Sequence, residues 1–148
     1  MNRTISDYQQ DSLQKKLKKI LQGLEGVVSV CSIRNILDRF GDKWSMLSIF
    51  HLGEAGTLRF NELKKRIDGI LQRMLTVTLQ TLERDGLVTR RIFAKILPRI
   101  EHKLTDLGHS LLLQIIELGD WASNHSAQIL KARKQYATRE QAGFKAGL

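Results

Sequence analysis

The sequence predicts a mainly α-helical protein with a small β-hairpin, because two hydrophobic periods occur in different parts of the chain. Apolar residues recur at helical spacing through most of its length. Over residues 87–93 and 99–105, polar and apolar residues alternate instead, as expected for two paired strands. The 148 residues suffice for one domain with its own core and flanking elements. We therefore expect a helical arm over residues 1–30, a central domain over 31–104, and a helix with a frayed tail over 105–148.

The first part of the chain predicts three helices. Residues 8–24 have leucines and isoleucines on one face and lysines on the other, a pattern of packing arms and of membrane-surface helices. A packing arm is favoured because the apolar face lacks aromatic anchors. Helices are then expected over residues 32–40 and 43–53, with Ser32 and Asp42 as N-caps. The third helix has apolar residues on nearly all sides, which predicts a central place in the core.

The next segment predicts a short helix joined to a longer one by a tight turn. After a small strand at residues 57–60, Asn61 is well placed to cap the short helix. Asp68 and Gly69 form the expected turn. The longer helix is expected over residues 70–85 and is closed by Gly86.

The longer helix has one apolar side and one side suited to DNA. The apolar side comprises Leu71, Met74, Leu75, Thr78, Leu79 and Leu82. The opposite side comprises Gln72, Arg73, Thr76, Val77 and Gln80. Arginine pairs bidentately with guanine, glutamine pairs with adenine, and the methyl groups of threonine and valine fit against thymine methyls. This arrangement predicts a helix-turn-helix whose second helix enters the major groove of double-stranded DNA.

The hairpin that follows predicts a basic wing. Five cations and one carboxylate lie between residues 86 and 104, within a chain of net charge +9. Such an excess favours a polyanionic partner, and Arg91, Lys95 and Arg99 are expected near phosphates or in a minor groove. The alternative is an RNA-binding or protein-interaction module of the same winged fold, which would bind through these cations with little contribution from the longer helix.

Other classes of function lack their sequence signals. A single cysteine, Cys31, excludes an internal disulfide and an all-cysteine metal site, and it fits a reducing compartment. The four histidines have no ligand spacing, and no catalytic triad order or phosphate loop occurs, so we expect no metal, no cofactor and no enzyme activity. The chain also lacks a membrane-length apolar segment and a signal peptide, which predicts a cytoplasmic protein.

The C-terminal helix has more apolar surface than one small domain can cover. It is expected to begin at Thr105 and to run to about Tyr136, with a break at Gly119 or Asn124, because 30 residues would span about 45 Å. Its apolar residues cover most of the circumference and comprise Leu111, Leu112, Leu113, Ile115, Ile116 and Leu118. They predict a homodimer in which the N-terminal arm packs against this helix. Such a dimer would place two recognition helices about 34 Å apart on a palindromic site.

Three segments resemble the HxlR-type winged helix-turn-helix transcriptional regulators. They are GDKWSMLSIFHL, LRFNELKKRIDGILQRMLTVTLQTLERDGLVTRRIF and LPRIEHKLTDLGHSLLLQIIELGDWA, and the likeness covers about residues 31–122. The resemblance implies a bacterial or archaeal homodimer that binds palindromic operators, with residues 70–85 as recognition helix. Members often respond to electrophiles, oxidants or aldehydes through a cysteine at the start of the domain, which is the position of Cys31.

Two positions, Cys31 and Leu71, bear on the sensor role and on the start of the recognition helix. Cys31 precedes an expected helix start, where the helix dipole favours a thiolate, so it is a candidate sensor of oxidants or electrophiles. The alternative for a lone cysteine is a small buried apolar residue. Leu71 stands where the family commonly has serine, so the recognition helix is expected either to lose about 1 kcal/mol of helix stability with that N-cap or to be capped one turn earlier by Asp68.

Overall fold

The computed structural model describes residues 5–25 and 33–147, and it confirms a mainly helical fold with a small antiparallel sheet. The elements within these residues are α1 (Ile5–Glu25), α2 (Ile33–Gly41), α3 (Lys43–Ala55), β1 (Thr57–Arg59), α4 (Phe60–Arg66), α5 (Gln72–Arg84), β2 (Val88–Phe93), β3 (Arg99–Leu104) and α6 (Asp106–Ala146).

Helix α3 lies at the centre of the core, as predicted. Ile49 and Leu52 are fully buried, and the helix packs against α2, α4, α5, α6 and the sheet. The carboxylate of Asp42 caps it by accepting a hydrogen bond from the amide of Trp44 at 3.2 Å. The expected end at Gly53 is wrong, because α3 continues to Ala55 before Gly56 turns the chain with φ of 82°. Gly53 instead lets α6 approach, since a Cβ there would collide with Leu112.

The sheet has three strands, which are the two of the predicted hairpin and the predicted small strand, observed as β1 over Thr57–Arg59. Its order is β1-β3-β2, and all pairs are antiparallel. In β1, Leu58 pairs with His102, and in β2 Arg90 pairs with the same residue from the other side. Leu58, Val88 and Leu104 are buried on the inner face, so the sheet closes one side of the core.

Helix α4 begins earlier than predicted. It starts at Phe60, and the amide of Arg59 donates to the carboxylate of Glu62 at 2.8 Å. The prediction of Asn61 as N-cap is therefore wrong, because the glutamate three residues into the helix reaches back to the chain before it. The turn at Asp68 and Gly69 is confirmed, with φ of 77° at Gly69.

Helix α5 begins at Gln72, two residues later than predicted, and ends as predicted before Gly86. Leu71 is its N-cap in extended conformation and provides no side-chain hydrogen bond. At the other end Gly86 has φ of 73°, its amide donates to Glu83 O, and the amide of Leu87 donates to Leu82 O at 2.9 Å. This pair of hydrogen bonds is a Schellman motif, which ends the helix sharply and leads the chain into the wing.

Helix α6 is longer than predicted. Thr105 caps it by accepting from the amide of Gly108 at 3.0 Å, as expected, but the helix then continues for 41 residues, about 62 Å. The expected break at Gly119 or Asn124 and the frayed tail are both wrong. Gly119 costs the helix about 1 kcal/mol relative to alanine. It does not interrupt α6, because the sequence after Trp121 consists largely of good helix formers and contains no proline.

Both flanking helices expose apolar side chains. On α1 these are Leu13, Leu17, Ile20 and Leu21, and on α6 they include Leu113, Ile116, Leu118 and Trp121. Among the described residues, the first part of α6 packs against the core through the buried Gly108 and Ile115 and the half-buried Leu111 and Leu112. Helix α6 is therefore not buried wholly against the rest of its own chain. Within the residues that the structure describes, none of the helices has the length and apolarity that crossing a membrane requires.

Candidate nucleic-acid interface

The outer face of α5 is open to solvent where the sequence predicts DNA contact. The predicted residues Gln72, Arg73, Thr76, Val77 and Gln80 are all exposed. The hydroxyl of Thr76 donates to the carbonyl of Gln72 at 3.0 Å, which leaves its methyl group for an apolar contact. The helix therefore presents guanidinium, amide and methyl groups together on one surface.

The inner face of α5 is narrower than predicted. Leu75, Thr78, Leu79 and Leu82 are buried, but Leu71 and Met74 are 74% and 44% exposed, so their assignment to the core is wrong. Leu71 precedes the first helical residue, where the helical period no longer fixes the side-chain direction. Met74 lies at the edge of the apolar stripe, about a quarter turn from its centre.

Two ion pairs hold the C-terminal half of α5 against its neighbours. Arg39 of α2 contacts Asp85 with an Nε to Oδ2 distance of 2.7 Å. Arg90 of β2 lies 3.7 Å from the carboxylate of Glu83. Exposed pairs of this kind contribute little stability, so they add only weakly to the backbone hydrogen bonds of the Schellman motif that joins α5 to the wing.

The predicted wing cations differ in their surroundings. Arg91 and Lys95 are exposed, whereas Arg99 is partly buried and its Nε donates to Glu101 at 2.6 Å. The guanidinium groups of Arg91 and Arg99 lie 4.8 and 5.3 Å from the ring of Phe93. A phosphate contact by Arg99 would therefore have to compete with Glu101.

The strand register identifies two further cations that the sequence reasoning missed. Arg59 pairs with Glu101, and Lys103 pairs with Thr57 and Thr89, so both lie on the outer face of the sheet with Arg91. Both side chains are exposed. Alternation along β3 could have identified Lys103. The position of Arg59 on this face could be known only from the pairing of β1, a strand of three residues, with β3.

The tip of the wing is less basic than predicted. Lys95 is there, but its neighbours Ile96 and Leu97 are also exposed, at 104% and 84% of their reference areas. A projecting aliphatic pair beside a cation is a feature of loops that enter a minor groove.

The remaining candidate groups lie apart from this surface or outside the described residues. Cys31 lies outside the described residues. Among residues 5–25 and 33–147, no group of three or more histidine, cysteine, aspartate or glutamate side chains could hold a metal ion.

The comparison with protein families shows which family the chain belongs to. The family model described as HxlR-like helix-turn-helix matches residues 39–130. The chain belongs to the HxlR-like family. The match includes α5 and the wing, while α1, Cys31 and the last part of α6 lie beyond it.

Individual HxlR-like relatives are transcriptional regulators by name. The uncharacterized HTH-type transcriptional regulator YdeP of Bacillus subtilis is 38% identical over 101 residues, which cover 68% of this chain and 78% of that protein. The solved structure of the putative transcriptional regulator ytfH from Salmonella typhimurium has a TM-score of 0.64 at 31% identity, covering 72% of this chain and 95% of that one. The solved structure of the redox regulator HypR in its reduced form has a TM-score of 0.61 at 32% identity, covering 68% of this chain and 97% of that one.

Proposed function

We propose that this HxlR-like protein is a transcriptional repressor that binds palindromic operators as a homodimer. The observation that supports this best is the outer face of α5, where Gln72, Arg73, Thr76, Val77 and Gln80 are exposed together beside a cationic sheet. Base reading requires such a mixture of bidentate polar groups and methyl groups on a helix that fits a major groove.

In this proposal α5 and the wing have different tasks. Helix α5 enters the major groove, where Arg73 contacts guanine and Gln72 or Gln80 contacts adenine. Arg91 and Lys95 contact phosphates, which supply affinity without sequence information. Ile96 and Leu97 enter the adjacent minor groove with the wing tip.

The homodimer follows from the apolar surface of the flanking helices. Burying one leucine side chain contributes about 1.5–3 kcal/mol, so exposed leucines and isoleucines on α1 and α6 favour association with a second copy. An isologous dimer repeats the recognition helix by a twofold axis, and its operator is then a palindrome. Occupation of such a site within a promoter represses transcription by excluding the polymerase.

We further propose that Cys31 responds to oxidants or electrophiles. The support is its position before α2 and the likeness to HypR, which is named a redox regulator. Because each chain has one thiol, the response has to be an adduct or a disulfide between the two subunits. A Cys31→Ser variant keeps its operator affinity when treated with diamide or a quinone, whereas the wild type loses it.

Affinity selection of genomic fragments tests the function as a whole. The purified full-length protein is incubated with sheared genomic DNA at physiological salt, because salt suppresses binding to phosphates alone. We expect a few promoter fragments that share a palindrome. Uniform recovery of all fragments, or selective retention of RNA over DNA, would contradict the proposal.

A further inference from the structure

Helix α6 carries opposite charges on its two halves. Residues 106–130 contain three carboxylates and neither lysine nor arginine, whereas residues 131–146 contain five cations and one carboxylate. The second half follows directly after the residues that match the family, and its side chains are exposed. A helix whose charges separate in this way is complementary to a copy of itself that runs in the opposite direction.

Most of these charges lie on one side of α6. At about 100° per residue, this side lies opposite Leu111 and Ile115, which pack against the core. We call it the outer face. Its charged residues, all exposed, are Asp106, Glu117 and Asp120 in the first half and Lys131, Lys134 and Lys145 in the second. The outer face therefore changes from acidic to basic along its length.

The charges of the outer face have no partner within their own helix. Neighbours on a helix surface are three or four residues apart, and none of the three carboxylates has a lysine or arginine at that spacing in α6. Lys131 and Lys134 lie three residues apart and repel each other. Among the residues that the structure describes, none of these six charges belongs to an ion pair. The described chain itself therefore supplies no complement to this face.

We propose that the outer faces of two α6 helices pair antiparallel, each acidic half against the basic half of the partner subunit. The inference rests on the homodimer proposed above and gives that dimer its register. One twofold axis, between residues 125 and 126, places Asp120 opposite Lys131 of the partner subunit and Glu117 opposite Lys134 of the partner subunit. The same axis places Asp106 opposite Lys145 of the partner subunit. A single register thus pairs all six charges, and the symmetry makes each pair twice.

Apolar side chains of the outer face fit the same register. Leu113 and Ile116 are exposed beside the carboxylates of the first half. They face Thr138 of the partner subunit and Gln135 of the partner subunit, so the pairing removes them from water. Burial of leucine and isoleucine supplies affinity, while the charge pairs select the direction and the register of the two helices.

A polyanion would match the basic half alone. Duplex DNA and anionic lipid carry one sign of charge, so either would meet repulsion from the carboxylates of the same face. A membrane also requires a continuous apolar face, and opposite the outer face Arg133 and Glu140 lie between Tyr136 and Phe144. A second copy of this chain complements both halves.

Charge reversal in each half tests the register. Sedimentation equilibrium compares the full-length wild type with Glu117→Lys plus Asp120→Lys, with Lys131→Glu plus Lys134→Glu, and with all four changes together. In the proposed register each double variant sets like charges opposite each other, so the dissociation constant of the dimer rises about tenfold or more. The fourfold variant exchanges the two signs and restores dimerisation, which a misfolded variant would not do.

A parallel pair of helices predicts a different pattern. It places each residue opposite its own copy, so reversal of a charge replaces one repulsion with another and leaves the dissociation constant unchanged. Double variants as strongly dimeric as the wild type, or a fourfold variant as weak as the double variants, would overturn the antiparallel register.

Arg133→Glu and Glu140→Lys are the matched controls, because they reverse charges on the opposite side of the same helix. Both should leave the dissociation constant unchanged. A loss equal to that of the double variants would mean that the outer face has no special role, and the proposal would fail.

The same variants separate this register from the function proposed above. If Lys131→Glu plus Lys134→Glu weakens binding to a random DNA duplex while the dimer stays intact, the basic half binds phosphates and the register is wrong. A dimeric wild type that is indifferent to every variant overturns the register and leaves the homodimer standing. A monomeric wild type contradicts the homodimer itself and the register with it.

Discussion

Arg99 and Glu101 show how one carboxylate tunes a cationic surface. Glu101 is the acidic residue among the wing cations, and its carboxylate accepts a hydrogen bond from Arg99 at 2.6 Å. The pair is partly buried beside Phe93, so it orders the outer face of the sheet. It also reduces the number of cations that phosphates can reach.

Glu101→Gln should therefore strengthen binding to DNA of any sequence. Loss of the carboxylate releases Arg99, and the slope of log affinity against log salt should steepen by about 1. The measurement is fluorescence anisotropy with a random duplex at several salt concentrations. Glu140→Gln on the exposed part of α6 is the matched control and should leave the slope unchanged. Equal slopes for the two variants would show that Arg99 does not reach the phosphates.

His102 predicts loss of stability in acid. Burial lowers the pKa of this histidine from 6.5, so the unfolded chain binds its proton more readily than the folded one. Above pH 6.5 His102 is neutral in both the folded and the unfolded chain, so it does not reduce the free energy of unfolding. As the pH drops below 6.5, the unfolded chain gains the proton first, and the free energy of unfolding falls. Thermal unfolding of the wild type and of His102→Leu, followed from pH 7.5 to 5, should show a smaller acid loss in the variant. Parallel curves would exclude His102 as the cause.

Single residues of the site were predictable where a helical period fixed them. The exposed positions of α5 follow from its spacing, and the structure places all of them on the surface. The partner of Arg99 follows from alternation along β3, because Arg99 and Glu101 lie two residues apart on one face of that strand. The role of Arg59 was not predictable, because it depends on which strands pair and in which register, and that is decided by contacts distant in sequence.

The N-terminal end of α5 is its less stabilised end. Leu71 is the N-cap, is 74% exposed and offers no acceptor to the first amides of the helix. Leu71→Ser should therefore raise the free energy of unfolding by about 1 kcal/mol. Urea unfolding should show a higher midpoint at constant slope, while Leu71→Ala, the control without a hydroxyl, should leave the midpoint nearly unchanged. A serine variant no more stable than the alanine variant would contradict this prediction.

The boundaries of the elements follow local chemistry where a cap is strong. Asp42, Gly86 and Thr105 end or begin helices as their residue types predict. The start of α4 was mispredicted because Asn61 suits the N-cap position, whereas Glu62 stabilises an earlier start from the third helical position by accepting from the amide of Arg59. Which of the two prevails is not visible in the sequence. The length of α6 was mispredicted because the estimate assumed that a helix ends with its domain.

On the scale of the whole molecule, α6 predicts the oligomeric state. Leu113 and Ile116 are 62% and 41% exposed on a helix that extends far beyond its own core. The double substitution Leu113→Asp with Ile116→Asp should convert the proposed dimer to a monomer, because charges at a buried interface are costly. Sedimentation equilibrium measures the mass, and Gln114→Asp at an exposed polar site of α6 is the control. A wild type that is monomeric at micromolar concentration would contradict the dimer.

Base reading by α5 is tested most directly by measuring affinity for an operator and for each of its single-base variants. Wild type, Arg73→Ala and Arg84→Ala are compared at physiological salt, Arg84 being an exposed arginine in the last turn of the same helix. Arg73→Ala should lose about 1–3 kcal/mol on the operator and become indifferent to one base pair in each half-site. Arg84→Ala should weaken all duplexes alike. An Arg73 variant that loses affinity uniformly and keeps the full base preference would show that α5 does not read the sequence.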